Sequence, residues 1–417
     1  MTIGETTSPS FFNEEGVQNQ EIRLGTGVVP LGLMQVSNPR IGVGGAYGTW
    51  GKSYDNSDLP TFLEQRLGHA PEQADQLNLS ELGFQRRHHI GPLSAEQHLE
   101  LEVEVGARVV REAASACGWS PAEVDAILVG VTAPITEDYL DRVAAAAGMR
   151  ADALKVIVHK ACDSSVSSLH LALNPELPEN RQLSPSIAER VLGKKVLVGG
   201  IEGLSRFMYS TLDANALQLF GNAAGAIGFI PGQAMKFLAG RSRESFDEDG
   251  VLQVKMHYPH SVEKPNPATN VEVTETGPTS IRVAGLMHEP SNGSSVSMAG
   301  PMGMVKLFVR TGVQVVTEAY EAYQSMMQKL GQTPRIAVAI VHHANYKINK
   351  LKEKQLAGLG IKFPMPWLLS EFGNVSAASN MIAFLRQLPK LKPGDHVLVD
   401  GFGAGTYYDV LAVEMGT

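Results

Sequence analysis

Cysteine is scarce: Cys117 and Cys162 are the only two in 417 residues. Two thiols cannot build a disulfide framework or a four-sulfur metal site, and a long chain without a framework suits a reducing compartment. Both are expected to be free. Basic runs are missing as well. No stretch of lysine or arginine exceeds a pair, and the formal net charge of -8 with a pI near 5.9 leaves no electrostatic footprint for nucleic acid or an anionic membrane. No apolar run approaches the roughly eighteen residues of a membrane span, and the first forty residues hold no apolar segment of signal-peptide length. The sequence reads as soluble and cytoplasmic, with no nucleic-acid or membrane partner. HExxH spacing, a G-x-S-x-G elbow and a phosphate loop with its lysine are all absent, so a zinc enzyme, a serine hydrolase and a nucleotide site are poorly supported. No metal is expected.

What is there is an α/β rhythm. Short β-branched runs (Ile127-Leu128-Val129, Val156-Ile157-Val158, Val196-Leu197-Val198, residues 336–341 and Val397-Leu398-Val399) alternate with longer Ala/Leu/Glu stretches, as in sheets buried on both faces. Residues 97–117 keep a helical apolar stripe that holds Cys117, which is read as a packing residue. Two regions break the rhythm, 174–188 and 239–297; the second alternates enough for hairpins such as "LQVKMHY" and "TSIRVAG". Laid side by side, the halves repeat. "DAILVGVTAP", "VHKACDSSVSSLHLAL" and "GKKVLVGGIEG" are followed in the same order by "IAVAIVHHAN", "SEFGNVSAASNMIAFL" and "GDHVLVDGFGAG", each set reading strand, small-residue helix, strand, glycine turn.

The repeat places Cys162 and Asn374 at equivalent helix starts. A cysteine there feels unsatisfied N–H groups and the positive end of the helix dipole, which favour thiolate; its alternative is a small buried hydrophobe. His342 and His343 follow a strand directly, where open α/β sheets form their crevices, or they cap a loop. Asn374 also suits a turn. The blocks "LFGNAAGAIGF" (219–229) and "DGFGAG" (400–405) read as backbone-permissive loops fit for close chain approach or an oxyanion site.

In order, "KACDSS", "LFGNAAGAIGF", "VHHANYKI", "FGNVSAAS" and "DGFGAG" resemble the signature series of thiolase-fold condensing enzymes, in the β-ketoacyl-acyl-carrier-protein synthase III branch. The likeness runs from about Ile41 to the C-terminus. It implies a thiolase fold, two duplicated βαβαβ halves in a five-layered αβαβα sandwich. The halves would be 40–229 with the nucleophile and 230–417 with the other catalytic residues, after an N-terminal extension at 1–39. It implies Cys162 as the acyl-accepting nucleophile, His342 and Asn374 as its catalytic partners, and the N–H groups of Cys162 and Ala404 as the oxyanion hole. Arg87, Asp163, His343, Gly403 and Gly405 fall at substrate-binding positions. The implied chemistry is acyl loading on Cys162, then decarboxylative condensation with a malonyl-type thioester, with no cofactor and with a homodimer as the assembly.

The departures are specific. Asp163 sits beside the nucleophile where an anion would raise the thiol pKa unless it points away or is paired. Asn222 replaces the family's aspartate. The tryptophan that stacks on the adenine of coenzyme A is missing ahead of Arg87, which favours carrier-protein substrates over coenzyme A. The length of the chain favours a specialised, polyketide-like pathway. Acyl transfer from Cys162 to an alcohol or amine, and a non-catalytic partner subunit, are the alternatives; Asn374 and the filled catalytic positions weigh against them.

Overall fold

Alternation along three parallel strands fixes the layering. In the strand Ala126–Gly130, Leu128 enters one hydrophobic core while Ile127 and Val129 enter another; Val156 and Val158 part from Ile157 in the same way, and Val196 and Val198 from Leu197. A sheet apolar on both faces must be covered on both. The computed structural model describes residues 10–25, 27–70, 72, 76–132, 135–208, 211, 213–245, 250–255, 270–291, 294–298 and 305–416.

The strands are β1 (Gln18–Leu24), β2 (Gly27–Asn38), β3 (Val43–Trp50), β4 (Lys52–Asp55), β5 (Arg86–His89), β6 (Ala126–Gly130), β7 (Leu154–His159), β8 (Val196–Glu202), β9 (Ala223–Phe229) and β10 (Met235–Glu244), then β11 (Leu252–Val254), β12 (Val271–Gly277), β13 (Ser280–Gly285), β14 (Val296–Met298), β15 (Ile336–Val341), β16 (His396–Gly403) and β17 (Tyr407–Met415). A nine-stranded sheet runs β1-β2-β3-β9-β8-β6-β7-β13-β12 and a four-stranded sheet β10-β17-β16-β15. The helices that layer them are α1 (Ala95–Ala116), α2 (Tyr139–Ala147), α3 (Ser164–Leu173), α4 (Thr311–Lys329), α5 (Tyr346–Gly358) and α6 (Ala378–Gln387). Helices α1 and α2 cover the outer face of the large sheet, α3 and α6 lie between the sheets, and α4 with α5 beside it covers the small sheet, giving αβαβα.

Both central helices sit on glycine. A Cβ on Gly130 would come within 2.5 Å of the Ser165 nitrogen, and one on Gly200 within 2.5 Å of the Ala377 carbonyl, so larger residues there would lift α3 and α6 off the sheet. Every residue of α3 is buried; fully burying Leu169 or Leu171 is worth roughly 1.5–3 kcal/mol each.

The duplication is visible in the strand order. The run β3-β9-β8-β6 is antiparallel, antiparallel, parallel, and β10-β17-β16-β15 repeats that sequence of pairings. The counterpart of β7 is missing. Its place beside β15 is taken by an irregular segment whose Pro364 carbonyl accepts from the Ala339 N–H at 2.8 Å; Pro364 and Pro366 have no N–H to continue a ladder.

One expectation changes, and two segments find their places in the sheets. The block 219–229 is mostly strand, since β9 is a central member of the large sheet, and its glycines serve packing: a Cβ on Gly225 would press on Ile382 of α6 at 3.1 Å. The stretch before residue 40 contributes β1 and β2 to the large sheet, and Asn38 Nδ2 donates to the carbonyls of Leu388 and Leu391 at 2.9 Å. In the region 239–297, "TSIRVAG" supplies β13, which forms the expected hairpin with β12 and pairs in parallel with β7. The end of "LQVKMHY" lies outside the described residues; its start, β11, pairs with β14.

Candidate active site

Two non-glycine residues have positive φ among the described residues, Ala161 at 47° and Ser376 at 45°. Such conformations cost energy and persist where surrounding structure fixes them. Ala161 immediately precedes Cys162, and the Ser376 hydroxyl lies 3.1 Å from the Cys162 sulfur. The two turns open the paired helices α3 and α6, and the contact between them at the sulfur is made by Ser376, two residues past the Asn374 that the repeat sets opposite Cys162. Cys162 lies in a 3-10 turn, Ala161–Asp163, just ahead of α3. Ser164 holds the turn, accepting from the Lys160 N–H at 2.7 Å and donating to the Ala161 carbonyl at 2.6 Å. Burial pushes the Cys162 thiol up to about 12, the Ser376 contact opposing and the Glu202 and Asp163 carboxyls adding to the rise.

Behind Ser376 the polar contacts continue. Ser376 Oγ is 2.5 Å from Thr132 Oγ1, which donates to Glu202 Oε1 at 2.6 Å; that oxygen also accepts from the N–H groups of Thr132 and Ala377. Sequence reasoning passed over Thr132 and Glu202. A signal existed: β6 and β8 pair Gly130 with Gly200, so two residues further on Thr132 stands level with Glu202 at the strand ends.

His342 follows β15, and its N–H donates to the Asp400 carbonyl at 2.9 Å. Its Nδ1 lies 2.5 Å from Ser379 Oγ of α6 and its ring stands edge-on to Phe402 at 5.0 Å. Burial pulls this imidazole down to about 3, with His343 and Lys352 adding to the effect, so it is neutral. The arrangement in which Ser379 donates to Nδ1 leaves the proton on Nε2. Asn374 Oδ1 accepts the Ser376 N–H at 3.0 Å, which turns its NH₂ toward the Ala344 carbonyl, 3.5 Å away in the His342 loop.

Two cavities converge here. One of about 350 Å³ is lined by Leu219, Ala344, Asn345, Lys347 and Asn374 among others. The other, about 20 Å³, is lined by Cys162, Ser376, Thr132, Phe220 and Ala404 with apolar Leu252 and Val296. Adjacent residues Leu219 and Phe220 divide them. Gly403 backs the Cys162 turn: a Cβ there would lie 2.8 Å from the Cys162 nitrogen and 2.7 Å from the Lys160 carbonyl. Gly403→Ala is expected to destabilise the fold by about 1–3 kcal/mol through overpacking, measured by chemical denaturation. Gly405, at φ 128°, lies against the Tyr407 ring, where a Cβ would collide at 2.0 Å.

None of the five residues expected at substrate-binding positions lines either cavity, Gly403 and Gly405 included, and neither does His342. His343 spends both ring nitrogens on backbone, Nδ1 on the Val341 carbonyl at 2.8 Å and Nε2 on the Leu368 N–H at 3.0 Å. Arg87 is fully buried in β5 and donates to Asn56 Oδ1 at 2.9 Å. Asp163 turns away from the sulfur into a buried cluster. There Lys160 Nζ lies 2.5 Å from Glu179 and 3.5 Å from Asp409, and Asp409 is 2.6 Å from His170 Nδ1. Burial and then Asp409 hold the Asp163 carboxyl well above the ordinary carboxylate range. Cys117 packs at the end of α1, 3.4 Å from the Gly228 carbonyl. No group of three or more His, Cys, Asp or Glu side chains able to hold a metal occurs among the described residues, nor does a helix long and apolar enough to cross a membrane.

Residues 327–415 match the family described as 3-oxoacyl-[acyl-carrier-protein (ACP)] synthase III C terminal. The chain is 31% identical over 219 residues to a chloroplastic β-ketoacyl-[acyl-carrier-protein] synthase III of Arabidopsis thaliana, a match spanning 51% of this chain and 48% of that protein. It is 25% identical over 353 residues to the synthase III of Thioalkalivibrio sulfidiphilus, spanning 80% and 88%. The solved 3-oxoacyl-[acyl-carrier-protein] synthase III from Aquifex aeolicus VF5 superposes with a TM-score of 0.61 at 20% identity, over 90% of this chain and 98% of that one.

Proposed function

We propose that the chain is a thiolase-fold condensing enzyme similar to the β-ketoacyl-[acyl-carrier-protein] synthase III proteins, and that it loads an acyl group on Cys162 and extends it by decarboxylative condensation. The observation that carries this is the meeting of two strained turns at the sulfur, with Ser376 from one and Cys162 from the other. Cys162 Sγ attacks a thioester carbonyl and the carrier thiol leaves. The N–H groups of Cys162 and Ala404 hold the oxyanion. A malonyl-type thioester then enters along the larger cavity, its carbonyl oxygen accepting from His342 Nε2 and Asn374 Nδ2. Loss of carbon dioxide leaves an enolate on that oxygen, which two neutral donors stabilise more than they stabilise the ground-state carbonyl. The carbanion attacks the acyl carbon, the bond to Sγ breaks, and the β-ketoacyl thioester departs. A neutral imidazole suits a donor role, and the 20 Å³ cavity beside Cys162 suits a short acyl group. The missing stacking tryptophan favours an acyl carrier protein over coenzyme A as the thioester carrier, and the insertions at 174–188 and 239–297 favour a specialised pathway.

The test is release of carbon dioxide from a malonyl-type thioester. His342→Ala and Asn374→Ala are each expected to slow it by about 10²–10³-fold while the acyl adduct on Cys162 still forms. Wild-type release rates in both variants would show this assignment to be wrong.

A further inference from the structure

We infer that Glu202 is the base that receives the Cys162 thiol proton, through the hydroxyls of Ser376 and Thr132. The inference rests on the nucleophile role proposed for Cys162. It begins with a count. From the sulfur to the carboxylate there are three contacts, Sγ to Ser376 Oγ at 3.1 Å, Ser376 Oγ to Thr132 Oγ1 at 2.5 Å and Thr132 Oγ1 to Glu202 Oε1 at 2.6 Å. A thiol, two hydroxyls and a carboxylate bring three protons to those three contacts.

The chain therefore has two complete orientations. In one the thiol donates to Ser376, Ser376 to Thr132 and Thr132 to the Glu202 carboxylate. In the other the protonated Glu202 donates to Thr132, Thr132 to Ser376 and Ser376 to the thiolate. One proton hop along each contact converts the first into the second, so one S–H bond breaks and one O–H bond forms on Glu202. When the carrier thiolate leaves, the proton returns along the file and restores the carboxylate. No other reactant is needed.

Burial favours this route over a new ion pair. Cys162, Ser376 and Glu202 are all buried, and the hop relocates one negative charge instead of creating a second charged group in a dry site. It also removes the Glu202 charge, one of the groups holding the thiol pKa up. Among the described residues no such file links His342 to the sulfur, and its Nδ1 is engaged by Ser379.

The groups facing the two ends set the pH response. Glu202 faces Thr132, the Ala377 N–H and, on α1, Glu102, which is paired with Arg206 at 3.1 Å. Burial raises the Glu202 carboxyl to about 8, Thr132 and Ala377 opposing and Glu102 adding. Cys162 faces Ser376, Glu202 and Asp163. The relay accepts a proton only when Glu202 is ionised, so Cys162 reactivity rises with pH through that titration.

The test is the pH profile of alkylation by iodoacetamide, read at Cys162 by peptide mass in the full-length protein. It needs no acyl donor, so its outcome is separate from that of the acyl-adduct assay. The wild type is expected to show an inflection near pH 8. In Glu202→Gln, Thr132→Val and Ser376→Ala the inflection moves toward the range of the isolated buried thiol and the rate at pH 8 falls by about tenfold or more. Thr132→Ser, which restores the hydroxyl, recovers the wild-type profile, and His342→Ala keeps it. A wild-type profile in Glu202→Gln or in Thr132→Val, or an equal loss in His342→Ala, would overturn the inference. If alkylation follows the relay while no thioester acylates Cys162, the condensing assignment fails and the relay stands.

Discussion

Cys162→Ala is expected to abolish the covalent acyl adduct and to lower condensation by at least about 10⁴-fold. The effect is large because the group removed forms and breaks the bond; nothing nearby can replace it. Ser376 Oγ lies 3.1 Å from the sulfur, and even with the relay behind it a serine hydroxyl is a far weaker acyl acceptor than a thiolate. The Ala161 turn and the Gly403 seat are untouched, so the variant should fold. Intact-mass measurement against acetyl to octanoyl thioesters reads the result. In the wild type acetyl-sized donors are expected to label fastest, because the cavity beside the sulfur holds about 20 Å³. An adduct that persists in the variant would place the acyl site elsewhere.

The second large effect concerns stability. Lys160→Met removes the one cation in contact with Glu179 and Asp409 among the described residues, and both acids are buried. Removing one partner of a buried pair leaves the other charge uncompensated, and the expected cost is about 3–5 kcal/mol by chemical denaturation. The pH dependence has a definite sign. Burial pushes the Asp409 carboxyl up, but Lys160 and then His170 overcome it and hold it below the ordinary range. A depressed carboxyl contributes stability above its unfolded pKa and loses it as pH falls through the folded one. Without Lys160 the folded pKa rises, so acid unfolding begins at higher pH. Adding Glu179→Gln to Lys160→Met should recover part of the loss; no recovery would mean that the two do not act as a pair.

The same cluster shows where the sequence was legible. Cys162, His342 and Asn374 each sit in a short motif, and the order of those motifs is what proposes them as a site. Asp163 could be placed beside the nucleophile but not oriented, because its direction depends on Asp409, a residue far along the chain and opposite only after β17 joins the small sheet. The insertion at 174–188 looked like a break in the rhythm, yet it delivers Glu179 to Lys160. His343 was read by its neighbour's chemistry, whereas its hydrogen bonds to Val341 and Leu368 make it a brace for the segment after α5. Ser376 was present in the quoted motif, but its role follows from a φ of 45° that no side-chain pattern announces. The glycine block at 219–229 misled because small residues serve a crowded strand as well as a loop.

The pairing of β13 with β7 bears on the order in which the molecule can be made. As synthesis proceeds from the N-terminus, β7 emerges with one edge open and stays so until residue 285 has been delivered. Ser376, which touches the sulfur, comes later still. The nucleophile strand must therefore wait, its hydrogen-bonding edge exposed, for chain not yet translated, and such long-range closures slow folding. The thiol reaches its working surroundings at the end of biogenesis, so a truncated or stalled chain would present Cys162 without its relay.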